Sequence, residues 1–204
     1  MTTGKENVIQ LPEPNYNSGK SIEQCLLRRR SAWSFTGRAV TIGEVAQLLW
    51  AAQGITGIRG HRTAPSAGAL YPLEVYLVAS NVVSLEPGVY KYLPYGHKLV
   101  SVIDGDKRGR LAEAALEQSF ITEGAAVIVF TAVYERTTDK YGDRGIRYVH
   151  MDAGHAAQNV CLQAVAMELG VVTVGAFHSD RVSNLLALPE DESPLYIIPV
   201  GRID

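Results

Sequence analysis

From Ala125 to Val133 the chain reads Ala-Ala-Val-Ile-Val-Phe-Thr-Ala-Val, with no charge, proline or glycine. The run falls far short of the roughly 18 apolar residues a membrane span needs. Its length and its β-branched content predict a central strand buried on both faces. Both faces then demand cover. One cover is legible from about Arg147 to Leu169, where Ala153, Ala156, Ala157, Val160, Cys161, Ala164, Val165 and Met167 recur over roughly five turns. That pattern predicts a long core helix whose small residues let neighbours approach closely.

The remaining elements follow from caps and periodicity. Ser21-x-x-Gln24 and Thr41-x-x-Glu44 are capping boxes. The first predicts a short helix ending near Arg28-Arg29-Arg30, and the second a helix through Leu48 and Leu49 that stops at Gly54. Ile55 to Gly68 reads as a long, glycine-rich surface loop. Strands are expected over Leu73–Ala79, Val89–Leu93 and Lys98–Ile103, joined by turns as an antiparallel unit. A short helix over Arg110–Ser119, a strand over Val171–Val174, a helix over Ser179–Leu188 capped by Ser179 or Asp180, and a strand over Leu195–Val200 complete the order. Helices and strands mixed in this way predict an α+β fold. Residues 1–20, with Gly4, Pro12, Pro14 and Gly19, should form an extended arm outside the core. At roughly 150 residues per domain, the 204 residues with no linker-like seam read as one domain over 21–204.

Composition removes several classes of function. With 47% hydrophobic and 20% charged residues, the chain can bury a full core and is no disordered tail. A net charge of −2 gives no general attraction for nucleic acid or an anionic membrane. The polar stretch Met1 to Gln10 lacks a signal-peptide core. Two cysteines, Cys25 and Cys161, are too few for a disulfide scaffold and point to a reducing cytoplasm. Neither Gly-x-Gly-x-x-Gly, a Walker motif nor Gly-x-Ser-x-Gly occurs. His150, Asp152 and His155 raise the question of a metal site, but His150 and His155 stand five apart on one predicted helix, roughly 140° round it, and do not share an ion easily. No metal is expected.

Two segments can carry chemistry. Arg28-Arg29-Arg30-Ser31 at a helix end is either a solvated terminus or a phosphate grip, since guanidinium forks bind phosphate oxygens bidentately and a hydroxyl adds a further bond. Arg202, after the last strand, is a candidate second cation. Thr63-Ala64-Pro65-Ser66-Ala67-Gly68 is either an ordinary turn or a loop of small residues that lets backbone N–H groups approach a flat polar ring.

In order along the chain, Arg29-Arg30-Ser31-Ala32-Trp33-Ser34-Phe35, Leu48 to Thr56, Arg62 to Pro72, Asp152-Ala153-Gly154-His155-Ala156-Ala157-Gln158-Asn159, Val174-Gly175-Ala176-Phe177 and Pro199-Val200-Gly201-Arg202 resemble the FMN-dependent nitroreductase superfamily. Within it, they are most similar to the SagB-type dehydrogenase branch, which includes azoline-oxidising enzymes. The resemblance spans roughly residues 20–202. It implies a central mixed sheet flanked by helices, and an obligate homodimer with FMN at the interface. By it, Arg29 and Arg202 hold the phosphate, and Arg30 and Ser31 contact the ribityl chain and ring edge. Pro65, Ser66, Ala67 and Gly68 come from the partner subunit, while Val174, Gly175 and Ala176 lie along the N5 edge.

Trp33 stands where an arginine is frequent in the family, and Thr173 where proline is frequent. Lys140-Tyr141 matches a pair found near the substrate in the azoline-oxidising relatives, as general base and proton partner; a solvated loop lysine is the other reading. The resemblance thus implies an FMN-dependent oxidoreductase working by ping-pong hydride transfer. It would act either from NAD(P)H to a nitro compound or quinone, or by oxidising an azoline-like ring. The alternative is a non-catalytic, flavin-sequestering protein.

Overall fold

A computed structural model of the chain describes residues 8–204. The apolar run becomes β7 (Ala126–Val133), and all eight of its residues are buried. Its alternating side chains feed two cores. Ile128 and Phe130 pack with Val75 and Leu77 against Val45, Leu48 and Leu49 on one side and against Val149, Ala153, Ala156 and Val160. Val127 and Val129 pack on the opposite face with Tyr76, Val78, Leu111, Ile121, Val182 and Leu186.

In chain order the elements are β1 (Val8–Gln10), α1 (Ile22–Arg28), β2 (Val40–Thr41), α2 (Ile42–Gln53), β3 (Leu73–Ala79), β4 (Val82–Val83), β5 (Gly88–Leu93), β6 (Lys98–Asp104), α3 (Arg108–Ala114), α4 (Phe120–Glu123), β7, α5 (Glu135–Tyr141), α6 (Arg144–Ala166), β8 (Leu169–Val171), α7 (Ser179–Leu186) and β9 (Glu192–Arg202). The main sheet has seven strands in the order β1-β6-β5-β3-β7-β9-β8, and every pairing in it is antiparallel. The parallel component expected of a mixed sheet is confined to the separate β2–β4 pair. Helices cover both faces, so the α+β class stands.

Both capping boxes form. The Ser21 side chain accepts from the Gln24 N–H and that of Thr41 from the Glu44 N–H. Gly54 does end α2, but in extended backbone, φ −62° and ψ 147°. Its glycine is required by close approach, because a methyl there would lie 2.6 Å from the Trp50 carbonyl oxygen. The α3 helix ends at Ala114, five residues before its expected end, where Leu116 and Glu117 turn left-handed at φ 58° and 61°. No side-chain cap from Ser179 or Asp180 starts α7, and His178 holds the N-cap position.

The N-terminal segment does more than lie outside the core. Val8–Gln10 pair with Val100–Lys98, and Leu11 is 2% exposed in the main core. Residues 1–7 of the expected arm lie outside the described residues. On α1 only Cys25 is buried, while Ile22, Leu26 and Leu27 are 55%, 54% and 73% exposed. Ile146 and Met151 of α6 are also exposed apolar side chains. Among the described residues no helix is long and apolar enough to cross a membrane.

Candidate active site

The chain after α1 is laid across the end of the sheet. The Ala32 N–H donates to the Val171 carbonyl at 3.0 Å and the Thr36 N–H to the Arg202 carbonyl at 2.9 Å. Phe35 sits over Gly201, where a methyl would meet its ring at 2.8 Å. This crossing sets Arg29 and Ser31 beside β8 and α6. There they line a cavity of about 170 Å³ with Gly154, Ala157, Gln158 and Cys161 of α6, and with Val171, Val172, Thr173 and Tyr196. Burial pushes the Cys161 thiol up, and the charge of Arg29 works against that shift.

The next segment is anchored by Val174, which exchanges two backbone bonds with Ile197 at 2.8 and 3.0 Å. The Ala176 carbonyl accepts from Gln118 Nε2 at 3.0 Å. Among the described residues, neither the Gly175 nor the Ala176 N–H donates to a protein acceptor, so both donors remain for a ligand.

Two predicted cations are directed elsewhere. Arg30 turns its Nη1 back onto the Leu27 and Arg29 carbonyls at 3.1 and 2.7 Å, satisfying the open end of α1. It lines a larger cavity, about 620 Å³, with Lys20, Arg28 and Trp33. Arg202 is paired with Glu44 at 2.8 Å and lines a different cavity with Arg38, Glu168 and Asp204. Arg29 and Arg202 thus line separate cavities in this structure, and the end of β9 is drawn to the start of α2. Trp33 packs edge-on against Phe120, ring centres 5.2 Å apart.

Pro65–Gly68 form a second grouping. Ser66 Oγ accepts the Tyr71 N–H at 3.0 Å, and Gly68 lies in left-handed backbone at φ 62°. A methyl on Gly68 would come within 2.7 Å of the Tyr141 hydroxyl oxygen and 3.2 Å of Lys140 Nζ. Lys140 and Tyr141 thus abut this loop. They stand on the last turn of a helix, α5, where a loop was expected.

Beneath the loop lies Asp152 of α6, 5% exposed, with Oδ2 lacking any partner. Burial pushes its carboxyl pKa up, opposed by the Ser66 hydroxyl, the Ala67 N–H and His155. Sequence reasoning weighed Asp152 only as a metal ligand beside His150 and His155 and set that use aside. It also passed over Glu74, Lys91 and Arg136, although a charge inside each of two apolar strands was a legible signal. His150, the other helix histidine considered, bonds the Tyr134 hydroxyl at 2.6 Å.

Two groupings result, with α6 between them. Asp152 faces the Ser66 loop, while Gly154 and Gln158 line the Arg29 cavity. Residues two apart on a helix are about 200° apart round its axis.

The chain belongs to the nitroreductase family, whose pattern it matches over residues 26–202. It is 47% identical over 194 residues to a nitroreductase homologue of Methanocaldococcus jannaschii, covering 95% of this chain and 96% of that one. Over 114 residues it is 32% identical to the NADPH-flavin oxidoreductase of Vibrio harveyi, covering 52% and 48% of the two chains. Over 115 residues it is 30% identical to the microcin B17-processing protein of Escherichia coli, covering 54% and 42%. The chain thus spans about half or less of these last two proteins. The crystal structure of a nitroreductase homologue from Ralstonia eutropha superposes with a TM-score of 0.85 at 28% identity, covering 100% of this chain and 92% of that one. Family and relatives together make the chain an oxidoreductase by descent.

Proposed function

We propose that the chain is an FMN-dependent oxidoreductase working as a homodimer, each flavin held between the Arg29 half-site of one protomer and the Ser66–Gly68 half-site of its partner. The observation that carries this reading is the separation of the two half-sites by α6. One chain cannot close both on a single ring, whereas a two-fold-related copy can. The cavity at Arg29, about 170 Å³, is also smaller than the roughly 300–1,000 Å³ of a complete small-molecule site. A second wall is needed. The exposed apolar faces of α1 and α6 supply surface for such contact.

The donors present suit a flavin mononucleotide. Arg29 and Ser31 offer a charged fork and a hydroxyl to a phosphate. Gly154 leaves the α6 surface open, so a flat ring can approach it. The Gly175 and Ala176 N–H groups can stabilise negative charge at the ring edge. Such a cofactor would supply two-electron hydride exchange in two half-reactions. The adjacency of Lys140 and Tyr141 to Gly68 favours the dehydrogenase version, in which Lys140 Nζ takes a proton from an azoline-like ring and the Tyr141 hydroxyl orients it. The likeness to the microcin B17-processing protein supports the same version, and that to the NADPH-flavin oxidoreductase supports an NAD(P)H-driven reductase.

The purified protein should be yellow, or take up added FMN, and should run as a dimer. A colourless monomer that fails to bind FMN overturns the reading. Stopped-flow reduction by NADPH, NADH and a thiazoline peptide separates the versions, and no reduction by any of them leaves a flavin-sequestering protein.

A further inference from the structure

The helix that carries Lys140 has little of its own to hold it. With seven residues and no side-chain cap at Tyr134, α5 is far below the roughly 12–15 residues at which isolated helices become even marginally stable. Its position must come from tertiary contacts, and the strongest polar one is made by Arg136. Arg136 Nη1 lies 2.6 Å from Glu74 Oε1 and donates to the Tyr71 carbonyl at 3.2 Å. Arg136 and Lys140 are four residues apart, so they share one face of α5. That face meets the Gly68–Glu74 segment at both ends: Arg136 at Tyr71 and Glu74, Lys140 and Tyr141 at Gly68.

Glu74 is a fixed anchor. Its side chain is 15% exposed, and its other oxygen lies 3.3 Å from Lys91 Nζ. Lys91 also holds Glu192 Oε1 at 2.7 Å. Glu192 is buried, and its second oxygen accepts from the Tyr76 and Thr131 hydroxyls at 3.0 and 2.9 Å. The chain of charges therefore runs from three main-sheet strands, β9, β5 and β3, to the first turn of α5, and the Thr131 hydroxyl ties β7 to it.

We infer that Arg136 is a positioning residue for the reaction, its Nη1 contacts to Glu74 and the Tyr71 carbonyl fixing the roll of α5 so that Lys140 Nζ stands against Gly68. This rests on the assignment of Lys140 as base. A lysine at 136 keeps the charge, but its ammonium sits on a shorter, more flexible stem and is not pre-oriented toward both acceptors as the planar guanidinium is.

The test uses the FMN-loaded protein as wild type, Arg136→Gln, Arg136→Lys, Lys140→Ala and the double variant R136Q/K140A. Three readouts are needed: oxidation of a synthetic thiazoline peptide, reoxidation of dithionite-reduced flavin by dioxygen, and amide hydrogen exchange over 135–141. R136Q should lower kcat for the thiazoline about tenfold, roughly 1.4 kcal/mol of barrier. FMN affinity and reoxidation should be unchanged, and exchange in 135–141 should be faster. R136K should recover part of the loss, and the double variant should be no slower than K140A alone. Equal losses in oxidation and reoxidation, or multiplying effects in the double variant, overturn the inference. Unchanged exchange in R136Q with K140A inactive overturns it while leaving the base assignment in place. Full thiazoline oxidation by K140A overturns both.

Discussion

The Arg202 guanidinium closes on the Glu44 carboxylate at 2.8 Å, and the same carboxylate accepts the Thr41 N–H at 2.8 Å. Glu44 therefore serves twice, as the third residue of the α2 capping box and as the counterion that ends β9. With side chains 27% and 20% exposed, the pair is partly screened. Arg202→Ala should cost about 1–2 kcal/mol of stability and change FMN affinity by less than about threefold. Thermal melts and an FMN titration check both. A tenfold loss of affinity would return Arg202 to the phosphate beside Arg29.

Arg29 carries the opposite expectation. It lines the cavity with Ser31, and on the proposed phosphate grip Arg29→Ala should lose a charge-assisted contact worth roughly 1.5–3 kcal/mol, about ten- to a hundredfold in FMN affinity. Equal affinity in the variant, measured by fluorescence titration, removes Arg29 from the proposed phosphate grip.

Gly68→Ala combines backbone strain at φ 62° with a methyl 2.7 Å from the Tyr141 hydroxyl oxygen. A left-handed alanine alone costs roughly 1–2 kcal/mol. The melting temperature should fall, and thiazoline oxidation should fall further than the loss of folded protein explains. A melt and a turnover rate both matching the wild type would show that Tyr141 and Lys140 do not press on this position.

The buried Asp152 sets a pH dependence. Burial raises its folded-state value above that of the unfolded chain. The native state therefore holds the proton more tightly, and stability declines as pH climbs from the ordinary aspartate range, about 3.9, through the raised value. Asp152→Asn should melt above the wild type at pH 7 and lose that advantage below about pH 4. A lower melting temperature for this variant at pH 7 would mean that the carboxylate is charged and stabilising where it lies.

Much of the scaffold was legible because its signals are local. The capping boxes at Ser21 and Thr41 and the apolar run of β7 formed where spacing placed them, while the alanine stripe lies on a helix shifted three residues earlier, Arg144–Ala166, which leaves Leu169 to open β8. The α5 helix was not legible. Glu-Arg-Thr-Thr-Asp-Lys-Tyr carries no apolar stripe, and it is held by Arg136, the buried Thr137 and the packing of Tyr141 edge-on against Tyr148 at 5.2 Å. The β1 strand escaped for a similar reason: three mostly exposed residues become a strand only because β6 offers an edge.

By itself the sequence determined the order of the larger elements, the strand that both cores share and the family, since each rests on periodicity or on residues close along the chain. Tertiary structure alone decided where the charges went. Arg202 turned to Glu44, 158 residues away, and Lys140 was set against Gly68, leaving the two half-sites on opposite sides of α6. A guanidinium takes whichever carboxylate folding brings within reach, and no local pattern encodes that choice.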